Sequence, residues 1–301
     1  MTLPVMEPDL WDRGSATLEE WARVVDDGPF SSLCFGERIA FANPDALTLL
    51  GAVSAWTRRA RLVLTVVVPQ LHEAPLLAKA LATADQLCAG RLTVGVGVGG
   101  RQQDYLAAGA DPSTQTIRGM RERVLELRGV WAGRSLVEGV PPIGPPPVQH
   151  GGPPVLVGTM GPRTLRDAGS WADGLAGVTL DLDTVAAADL FALARTSWQE
   201  AGRSAPLLTT SFWFALDDGD GRARAQVHRH LRHYMDWLPL SLVDAMAPTT
   251  GFAGTAAQLR DVLLRFADAG ADEVHLIPTS SDVRQAHEVA DLLGVDPSLH
   301  G

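Results

Sequence analysis

The sequence predicts a single α/β domain that folds as a parallel (β/α)8 barrel, the TIM-barrel class. Three observations support this prediction. The chain has 301 residues, and a barrel of this class needs roughly 250 or more. Short apolar runs alternate with longer helical segments, which implies a parallel sheet with helical crossovers. The runs LVLTVVV and LTVGVGV are continuously apolar, as is typical of parallel strands that are covered on both faces.

Eight segments are predicted as strands, which is the number that closes such a barrel. Each is a short apolar run of residues that favour extended structure. The predicted strands are residues 2–6, 31–36, 61–68, 92–98, 155–158, 174–178, 207–216 and 272–278.

Helices are predicted between these strands from capping residues and apolar spacing. Thr17 would cap the helix at 18–25, with Glu20 as its capping-box partner. Asn43 would precede the helix at 44–56, which has a proline at its first position. The other predicted helices are residues 75–89, 116–131 and 255–269, with glycines at 90 and 270 ending two of them.

A segment rich in proline and glycine interrupts the alternation at residues 139–154. Its composition excludes a helix interior or a central strand. We predict one barrel domain over residues 1–301, with this segment inserted as a loop between the fourth helix and the fifth strand. A domain linker is the alternative, but neither side carries enough predicted strands to close a domain of its own.

Composition and charge exclude several classes of function. The chain has a net charge of −10, and an acidic surface disfavours nucleic acid and anionic membranes as partners. The first residues lack the basic and apolar regions of a signal peptide. The longest apolar run, residues 62–69, is too short to span a bilayer. We therefore expect a cytoplasmic protein with no nucleic-acid or membrane partner. Separately, we expect a homodimer with a small-molecule substrate.

No metal site is predicted. Cys34 and Cys88 are too few for a structural zinc site, and we expect them to be buried, reduced thiols. The histidines His228, His230 and His233 lie on a polar, arginine-rich helix, where we expect them to be solvated. The P-loop, the GxSxG elbow and the HExxH motif are all missing from the sequence.

The clearest candidate for a functional site is the turn after the predicted strand 155–158. In a parallel barrel the functional face lies at the carboxyl ends of the strands. The first amides of the helix that follows this turn lack internal acceptors and carry partial positive charge, so the turn could hold a phosphate. An ordinary strand–turn–helix junction is the alternative. The residues of this candidate cradle are Gly158, Thr159, Met160, Gly161, Pro162 and Arg163.

Alternating glycines form a second candidate, in the sequence Gly95-Val-Gly-Val-Gly-Gly100. They leave one face of the strand bare, so that a ligand ring could pack against the backbone at Gly97 and Gly99. Close packing between strands, or a bend at a barrel corner, is the alternative. The spacing GxGxGG differs from the dinucleotide fingerprint GxGxxG.

Charged residues directly after the second predicted strand form a third candidate. Glu37 and Arg38 would point into the barrel mouth, where they could pair with each other or supply a proton donor or ligand anchor. Gln70 and His72 follow the third predicted strand. A lone histidine at such a position is more often a surface residue than a catalytic one.

Five parts of the chain together resemble the luciferase-like monooxygenase family, and within it the branch that depends on the deazaflavin coenzyme F420. The most specific are Asp85-Gln-Leu with the Gly90-Arg-Leu and Gly-Val-Gly-Val-Gly99 that follow, and Gly161-Pro-Arg with Ala172-Asp-Gly174. The resemblance extends over about residues 1–295. The matching parts are residues 30–37, 60–67, 81–99, 158–174, and 254–255 with 269–273.

The resemblance implies a bacterial-luciferase-like barrel with a flavin or deazaflavin over the strand ends. It assigns the cofactor phosphate to the turn at 158–163. It also implies that the ring lies near the third strand's end, where a non-prolyl cis peptide is expected around residues 65–67, so that Val66 and Val67 become cofactor contacts. Glu37 would lie near the reacting centre as the catalytic acid or anchor.

Two departures from the family pattern bear on the reaction. Relatives often carry an acidic residue followed by histidine after the second strand, whereas this chain has Glu37-Arg38. A sugar-phosphate dehydrogenase relative would carry a glutamate after the fourth strand's glycines, where Gly100 and Arg101 stand. These departures argue against a dehydrogenase with that catalytic pair.

We therefore expect an oxidoreductase that transfers a hydride between F420 and an unidentified small organic substrate. A monooxygenase that uses reduced FMN and O2 is the alternative. A further alternative is a non-catalytic accessory barrel, which the small residues Gly97, Gly99 and Gly161 disfavour. The segments expected to face the substrate are residues 139–154 and 234–252, although the aromatic residues of the latter could equally form a dimer surface.

Overall fold

The protein is described from a computed structural model that covers residues 1–217, 219 and 221–295. In this part of the chain eight strands form one curled parallel sheet, in the order β1 to β7, with β8 paired to β6. The strands are β1 (Ser32–Phe35), β2 (Arg61–Val67), β3 (Leu92–Val96), β4 (Val155–Val157), β5 (Gly174–Ala176), β6 (Leu207–Leu216), β7 (Phe252–Gly254) and β8 (Glu273–Pro278).

Twelve α-helices accompany the strands among the described residues, and none of them combines the length and apolar character needed to cross a membrane. They are α1 (Leu10–Arg13), α2 (Ala16–Asp27), α3 (Ala46–Trp56), α4 (Ala74–Leu87), α5 (Gln102–Ala107), α6 (Ile117–Trp131), α7 (Pro162–Ala168), α8 (Thr184–Glu200), α9 (Arg222–Tyr234), α10 (Leu240–Met246), α11 (Ala256–Asp268) and α12 (Arg284–Val295).

The apolar runs of the sequence form the sheet because helices cover its outer face and side chains fill its inner face. Every residue of β1 and β3 is buried, as are nine of the ten residues of β6. All the strand pairings are parallel. The prediction of a parallel α/β fold is confirmed, and the free thiols Cys34 and Cys88 are buried in it as expected.

The strand predicted at residues 2–6 is wrong in extent. Thr2 forms an isolated parallel bridge with Cys34, and its amide donates to Leu276 O at 2.9 Å. Pro4 then interrupts the ladder because it has no amide hydrogen. These bonds place the first residues between β1 and β8, at the two ends of the curled sheet. They support closure into a (β/α)8 barrel, which stays a prediction.

Strand β7 is not among the predicted strands, and its first residue, Phe252, is the last residue of the segment 234–252 that is expected to face the substrate. It has only three residues and pairs with the end of β6, where Phe214 lies opposite Phe252. A three-residue strand ending in glycine carries too little alternation to be recognised. The predicted number of eight strands therefore agrees with the structure, but β7 takes the place of the strand predicted at residues 2–6.

Two predicted N-caps are wrong. Thr17 lies inside α2, which begins after Ser15 without a side-chain cap. Helix α3 is capped by Asp45, whose carboxylate accepts from Thr48 N at 2.7 Å, two residues beyond the predicted Asn43. In both cases another residue able to cap lies within two positions, so sequence alone does not select between them.

The proline-rich segment lies far from the carboxyl ends of the strands. The Asp85 carboxylate on α4 accepts from the amides of Val148 and Gln149 at 2.8 and 3.0 Å. The Gln149 side chain also donates to the carbonyl of Leu92, the first residue of β3, at 2.7 Å. The segment therefore packs at the amino ends of the strands. The expectation that it faces the substrate is wrong.

Candidate active site

A cavity of about 420 Å³ opens at the carboxyl ends of the strands. Its wall is built mainly from residues that directly follow β1, β2, β3, β4 and β5, together with β8, and one side is covered by α9 and the residues after it. This volume lies within the range of small-molecule sites. Within the described residues, no group of three or more histidine, cysteine or acidic side chains is placed to hold a metal ion.

Most of the residues predicted as site residues meet at this cavity. Val67 does not, because it is fully buried in the core behind the wall. Gly161, Pro162 and Arg163 lie beyond the lining residues, and the last two are exposed. The predicted residues that line the cavity are Glu37, Val66, Gly97, Gly99, Gly158, Thr159 and Met160.

The peptide bond between Thr65 and Val66 is cis, which confirms the expectation drawn from the family resemblance. The Val66 side chain packs against two of the glycines. A Cβ at Gly97 would lie 2.7 Å from Val66 Cγ2, and one at Gly158 would lie 3.0 Å from Val66 Cγ1. These glycines therefore allow Val66 to form part of the wall.

Gly95 serves strand packing, the alternative considered for this run of glycines. A Cβ at Gly95 would lie 2.3 Å from the carbonyl oxygen of Leu64 on the neighbouring strand. Gly99 differs, because its φ is +69° and a Cβ there would first meet Val68 Cγ2 at 3.3 Å. The backbone from Gly97 to Arg101 lines the cavity, where a ligand could reach it.

Glu37 is held rigidly at the cavity wall. Its carboxylate accepts from Val68 N at 2.9 Å through Oε2, and Oε1 lies 2.7 Å from Nε2 of His72. Only 2% of its side chain is exposed. His72, for which a surface position was the commoner expectation, thus fixes one oxygen of Glu37. The segment after β2 therefore places an imidazole, that of His72, beside the Glu37 carboxylate.

Arg38 points away from Glu37, so the pairing of these two residues considered from the sequence is wrong. Its guanidinium donates to Tyr234 O and to Asp236 Oδ1, both at 3.1 Å, and lies 3.8 Å above the ring of Phe41. Burial and the neighbouring Arg101 lower the pKa of Arg38. This side chain links the end of β1 to the last residue of α9 and to the segment that follows it.

Arg101 and Asp104 form a buried ion pair at the cavity mouth. Arg101 Nε donates to Asp104 Oδ2 at 2.9 Å, and its guanidinium lies 4.4 Å from the ring centre of Trp237. Asp104 also accepts from the amides of Ile39 and Ala40. Burial raises the pKa of Asp104, but the hydrogen bonds from Ala40 and Arg101 outweigh it and lower that pKa. No local motif indicated Asp104 as a site residue.

His230 is buried, which contradicts the expectation that it is solvated. It is 1% exposed, it lines the cavity, and its Nδ1 lies 2.5 Å from Oε1 of Glu7. Helical spacing could have identified it, because Ala223, Val227 and His230 share the buried face of α9. The other two histidines of α9 are only partly exposed. His228 pairs with Asp244, and His233 packs on Phe41.

His275 places a positive charge beneath the cavity. Burial lowers the pKa of His275, but the charges and hydrogen bonds of Cys34 and Glu273 outweigh it and raise that pKa to about 9. Burial raises the pKa of Glu273, but His275 and the adjacent Arg61 outweigh it and lower that pKa to about 2. The sequence analysis identified neither member of this pair.

Glu273→Gln is expected to remove a contribution to the free energy of unfolding that the wild type has at neutral pH and loses in acid. Because the folded-state pKa of Glu273 is lowered from 4.5 to about 2, its charge stabilises the fold above about pH 4.5, and this is lost as the pH falls toward 2. The shift corresponds to at most about 3 kcal/mol. Denaturant unfolding of wild type and variant between pH 3 and 7 measures it. Glu19→Gln, in an exposed pair with Arg23, should leave the pH profile unchanged, and an equal effect there would contradict this assignment.

Comparison with known proteins identifies the family. The family model described as luciferase-like monooxygenase matches residues 11–273. An uncharacterised protein of Mycobacterium tuberculosis is 33% identical over 167 residues, which cover 53% of this chain and 57% of that protein. The chain therefore matches little more than half the length of that relative.

Two solved structures share the fold over nearly their whole length. The monooxygenase RslO1 from Streptomyces bottropensis has a TM-score of 0.80 at 21% identity, with 97% of each chain covered. An F420-dependent secondary alcohol dehydrogenase, solved with an F420–acetone adduct, has a TM-score of 0.77 at 18% identity, with 95% of each chain covered. The chain belongs to the luciferase-like monooxygenase family, whose members are oxidoreductases and monooxygenases that depend on F420 or FMN.

Proposed function

We propose that this chain is a single-domain (β/α)8-barrel oxidoreductase that transfers a hydride between F420 and a small organic substrate. The observation that carries the proposal is the cavity at the strand ends, which brings together the Glu37 carboxylate, the wall around Val66 and the glycine-rich backbone at residues 97–100. The structural likeness to the dehydrogenase solved with an F420–acetone adduct supports the choice of cofactor. The expected cytoplasmic location and homodimer belong to the same proposal.

The residues present fit a cofactor with a flat ring and an anionic tail. The cavity wall is open backbone at Gly99 and Gly100, and a Cβ at Gly100 would meet nothing within 4 Å. At the turn after β4, the first bond within α7 is made by Leu165 N to Gly161 O at 3.1 Å. The amides of Arg163 and Thr164 precede it and could donate to a phosphate.

The chain's own groups would orient and shield the reactants. When bound, the deazaflavin would supply or accept the hydride. Glu37 is the proposed acid or anchor, since its carboxylate is fixed by Val68 N and His72 and faces the cavity. Tyr234 and Trp237 cover the open side and would exclude water.

A monooxygenase that uses reduced FMN and O2 is the second candidate. The description of the matching family model as luciferase-like monooxygenase favours it. Both candidates place a planar, phosphate-bearing cofactor in the same cavity, so they differ in the cofactor bound rather than in the position of the site.

The decisive experiment is a titration of the purified protein with F420 and with FMN, each oxidised and reduced, followed by absorbance. We expect F420 to bind with a Kd on the order of 10 µM or lower, about −7 kcal/mol, and FMN to bind at least roughly tenfold more weakly. Tighter binding of FMN would favour the monooxygenase. Binding of neither cofactor would contradict both candidates.

A further inference from the structure

Three titratable side chains form a hydrogen-bonded triad inside the curled sheet. The Cys34 thiol hydrogen-bonds the ring of His275, and Nε2 of that ring lies 3.2 Å from Oε2 of Glu273. A thiol, an imidazole and a carboxylate in this order are the groups that activate a cysteine as a nucleophile. The triad has no part in the function proposed above.

Strand periodicity places the Cys34 thiol directly behind the cavity wall. Side chains two residues apart share one face of a strand, so Cys34 and Gly36 share a face of β1, and His275 and Ile277 share a face of β8. Gly36, His275 and Ile277 line the cavity. Cys34 does not line it and is fully buried. One layer of wall residues therefore separates the sulfur from the cavity.

Thr2 presents an unused hydroxyl on the same face of the sheet. It pairs with Cys34 in the isolated bridge, and directly paired residues of neighbouring strands present their side chains on one face. Thr2 lines the cavity and is only 6% exposed, and its Oγ1 is buried without a hydrogen-bond partner among the described residues. A buried hydroxyl without a partner costs about 1–3 kcal/mol. This hydroxyl is available to bond an atom added beside Cys34.

Cys88 provides an internal comparison, because it is as deeply buried as Cys34 but has a different partner. Its thiol donates to the backbone carbonyl of Asp85 at 3.6 Å, and burial raises its pKa. Burial also raises the pKa of Cys34, but the charge and hydrogen bond of His275 outweigh it and lower that pKa. The thiolate, and not the thiol, is the nucleophilic form. Of the two cysteines, Cys34 is therefore the one prepared to react.

We propose that Cys34 is a peroxide-reactive modification site, where hydrogen peroxide that enters through the cavity oxidises the sulfur to a sulfenic acid. Hydrogen peroxide is only slightly larger than water, and a sulfur behind one layer of wall residues excludes bulkier electrophiles. The proposal is independent of the cofactor, because neither F420 nor FMN takes part in the oxidation.

The triad and the Thr2 hydroxyl have separate roles in this step. The thiolate sulfur of Cys34 forms a bond to one peroxide oxygen, and the O–O bond breaks. The departing hydroxide takes a proton from the His275 imidazolium and leaves as water. Sulfur is oxidised by two electrons and the peroxide is reduced by two. Glu273 is a positioning residue that holds the ring, and the Thr2 hydroxyl bonds the new oxygen.

The test compares the oxidation rates of the two cysteines in the folded, cofactor-free protein. The variants Cys88→Ser and Cys34→Ser each keep one thiol, so that no disulfide can form. Samples in hydrogen peroxide at neutral pH are quenched in denaturant with dimedone, which labels sulfenic acids, and are analysed by peptide mass spectrometry. Cys34 should be oxidised about tenfold or more faster than Cys88. Equal rates would mean that oxidation follows unfolding, and would overturn the proposal.

Substitutions around the sulfur separate its activation from simple access. In the Cys88→Ser background, His275→Asn should slow oxidation of Cys34 by about tenfold or more, because the group that favours the thiolate is removed. Thr2→Val keeps the side-chain shape and should slow it by about threefold or more, the loss expected for one hydrogen bond. Thr209→Val is the matched control, since its buried hydroxyl bonds the carbonyl of Leu175 instead. Its rate should equal that of the background.

The ultraviolet absorbance of the thiolate provides a measurement that does not depend on peroxide. At neutral pH, Cys34→Ser should lower this absorbance, whereas Cys88→Ser should leave it unchanged. Circular dichroism identifies any variant that fails to fold. If His275→Asn is one of them, the absorbance and Thr2→Val still decide. Absorbance that is unchanged in Cys34→Ser would contradict a thiolate at Cys34 and overturn the proposal.

Discussion

Gly161→Asp is expected to weaken F420 binding by more than about tenfold, because a carboxylate at the first turn of α7 would repel an anionic group held there. Two like charges about 4 Å apart repel by about 1 kcal/mol in water and about 4 kcal/mol at an effective dielectric constant near 20. A tenfold loss corresponds to about 1.4 kcal/mol. The nearest atom to a Cβ at Gly161 is Thr159 Oγ1 at 3.6 Å, and φ is −94°. The variant therefore fits the fold.

Two further variants show whether a loss of affinity in Gly161→Asp comes from the local charge. One controls for the size of the new side chain, and the other for the change in the protein's net charge. Gly161→Asn has nearly the same size as Gly161→Asp without the charge, and it should cost less affinity. Gly51→Asp adds the same charge to α3, where a Cβ would meet nothing within 4 Å, and its F420 titration should match that of wild type. If Gly161→Asp bound F420 as tightly as Gly51→Asp does, the cofactor's anionic group would have to lie away from the turn that precedes α7.

The parallel sheet could be predicted because its signal is local. Strands β2 and β3 each carry a continuous apolar run. Such runs are required where helices cover a sheet, because the strands are then buried on both faces. Where the strand signal was short or interrupted, the prediction failed. Pro4 ends the pairing that begins at Thr2, and β7 is formed by only three residues next to a much longer partner.

The candidate site could be predicted most directly where residues follow a strand. Glu37, Gly97 and Gly158 each lie within two residues of a strand's carboxyl end, and the parallel topology brings such positions together. His230 and Glu7 could not be found this way, since their contact spans 223 residues of sequence. Local polarity suggested solvation for His230, but the packing of α9 on the sheet decides its burial.

The proline-rich segment shows the opposite error, since the prediction places a long loop at the functional face and the structure does not. Its composition excluded regular structure correctly, but composition contains no information on which end of the parallel sheet a loop occupies. Asp85 decides this, because its buried carboxylate accepts from the backbone at Val148 and Gln149. An aspartate on a largely apolar helix is a sequence signal for such an anchor, although the sequence does not show which residues the aspartate binds.

Asp85→Ala is therefore expected to lower the free energy of unfolding by about 3–5 kcal/mol, without changing F420 affinity. The carboxylate is fully buried and accepts from two backbone amides and from the Gln149 side chain at 2.8 Å. Removing it leaves these donors unpaired, at about 1–3 kcal/mol for each one that water cannot reach. Unfolding in guanidinium chloride, followed by circular dichroism, measures the loss. A cofactor titration of the same variant tests whether the segment contributes to the site.

Asp183→Ala is the matched control for this prediction, because burial rather than the number of bonds should decide the size of the effect. Asp183 also accepts from two backbone amides, those of Val185 and Ala186 at the start of α8, but it is exposed. Water can replace an exposed cap, so its removal should cost only about 1 kcal/mol. Equal losses in the two variants would mean that the proline-rich segment is weakly held. Reduced F420 affinity in Asp85→Ala would mean that the segment reaches the cavity after all.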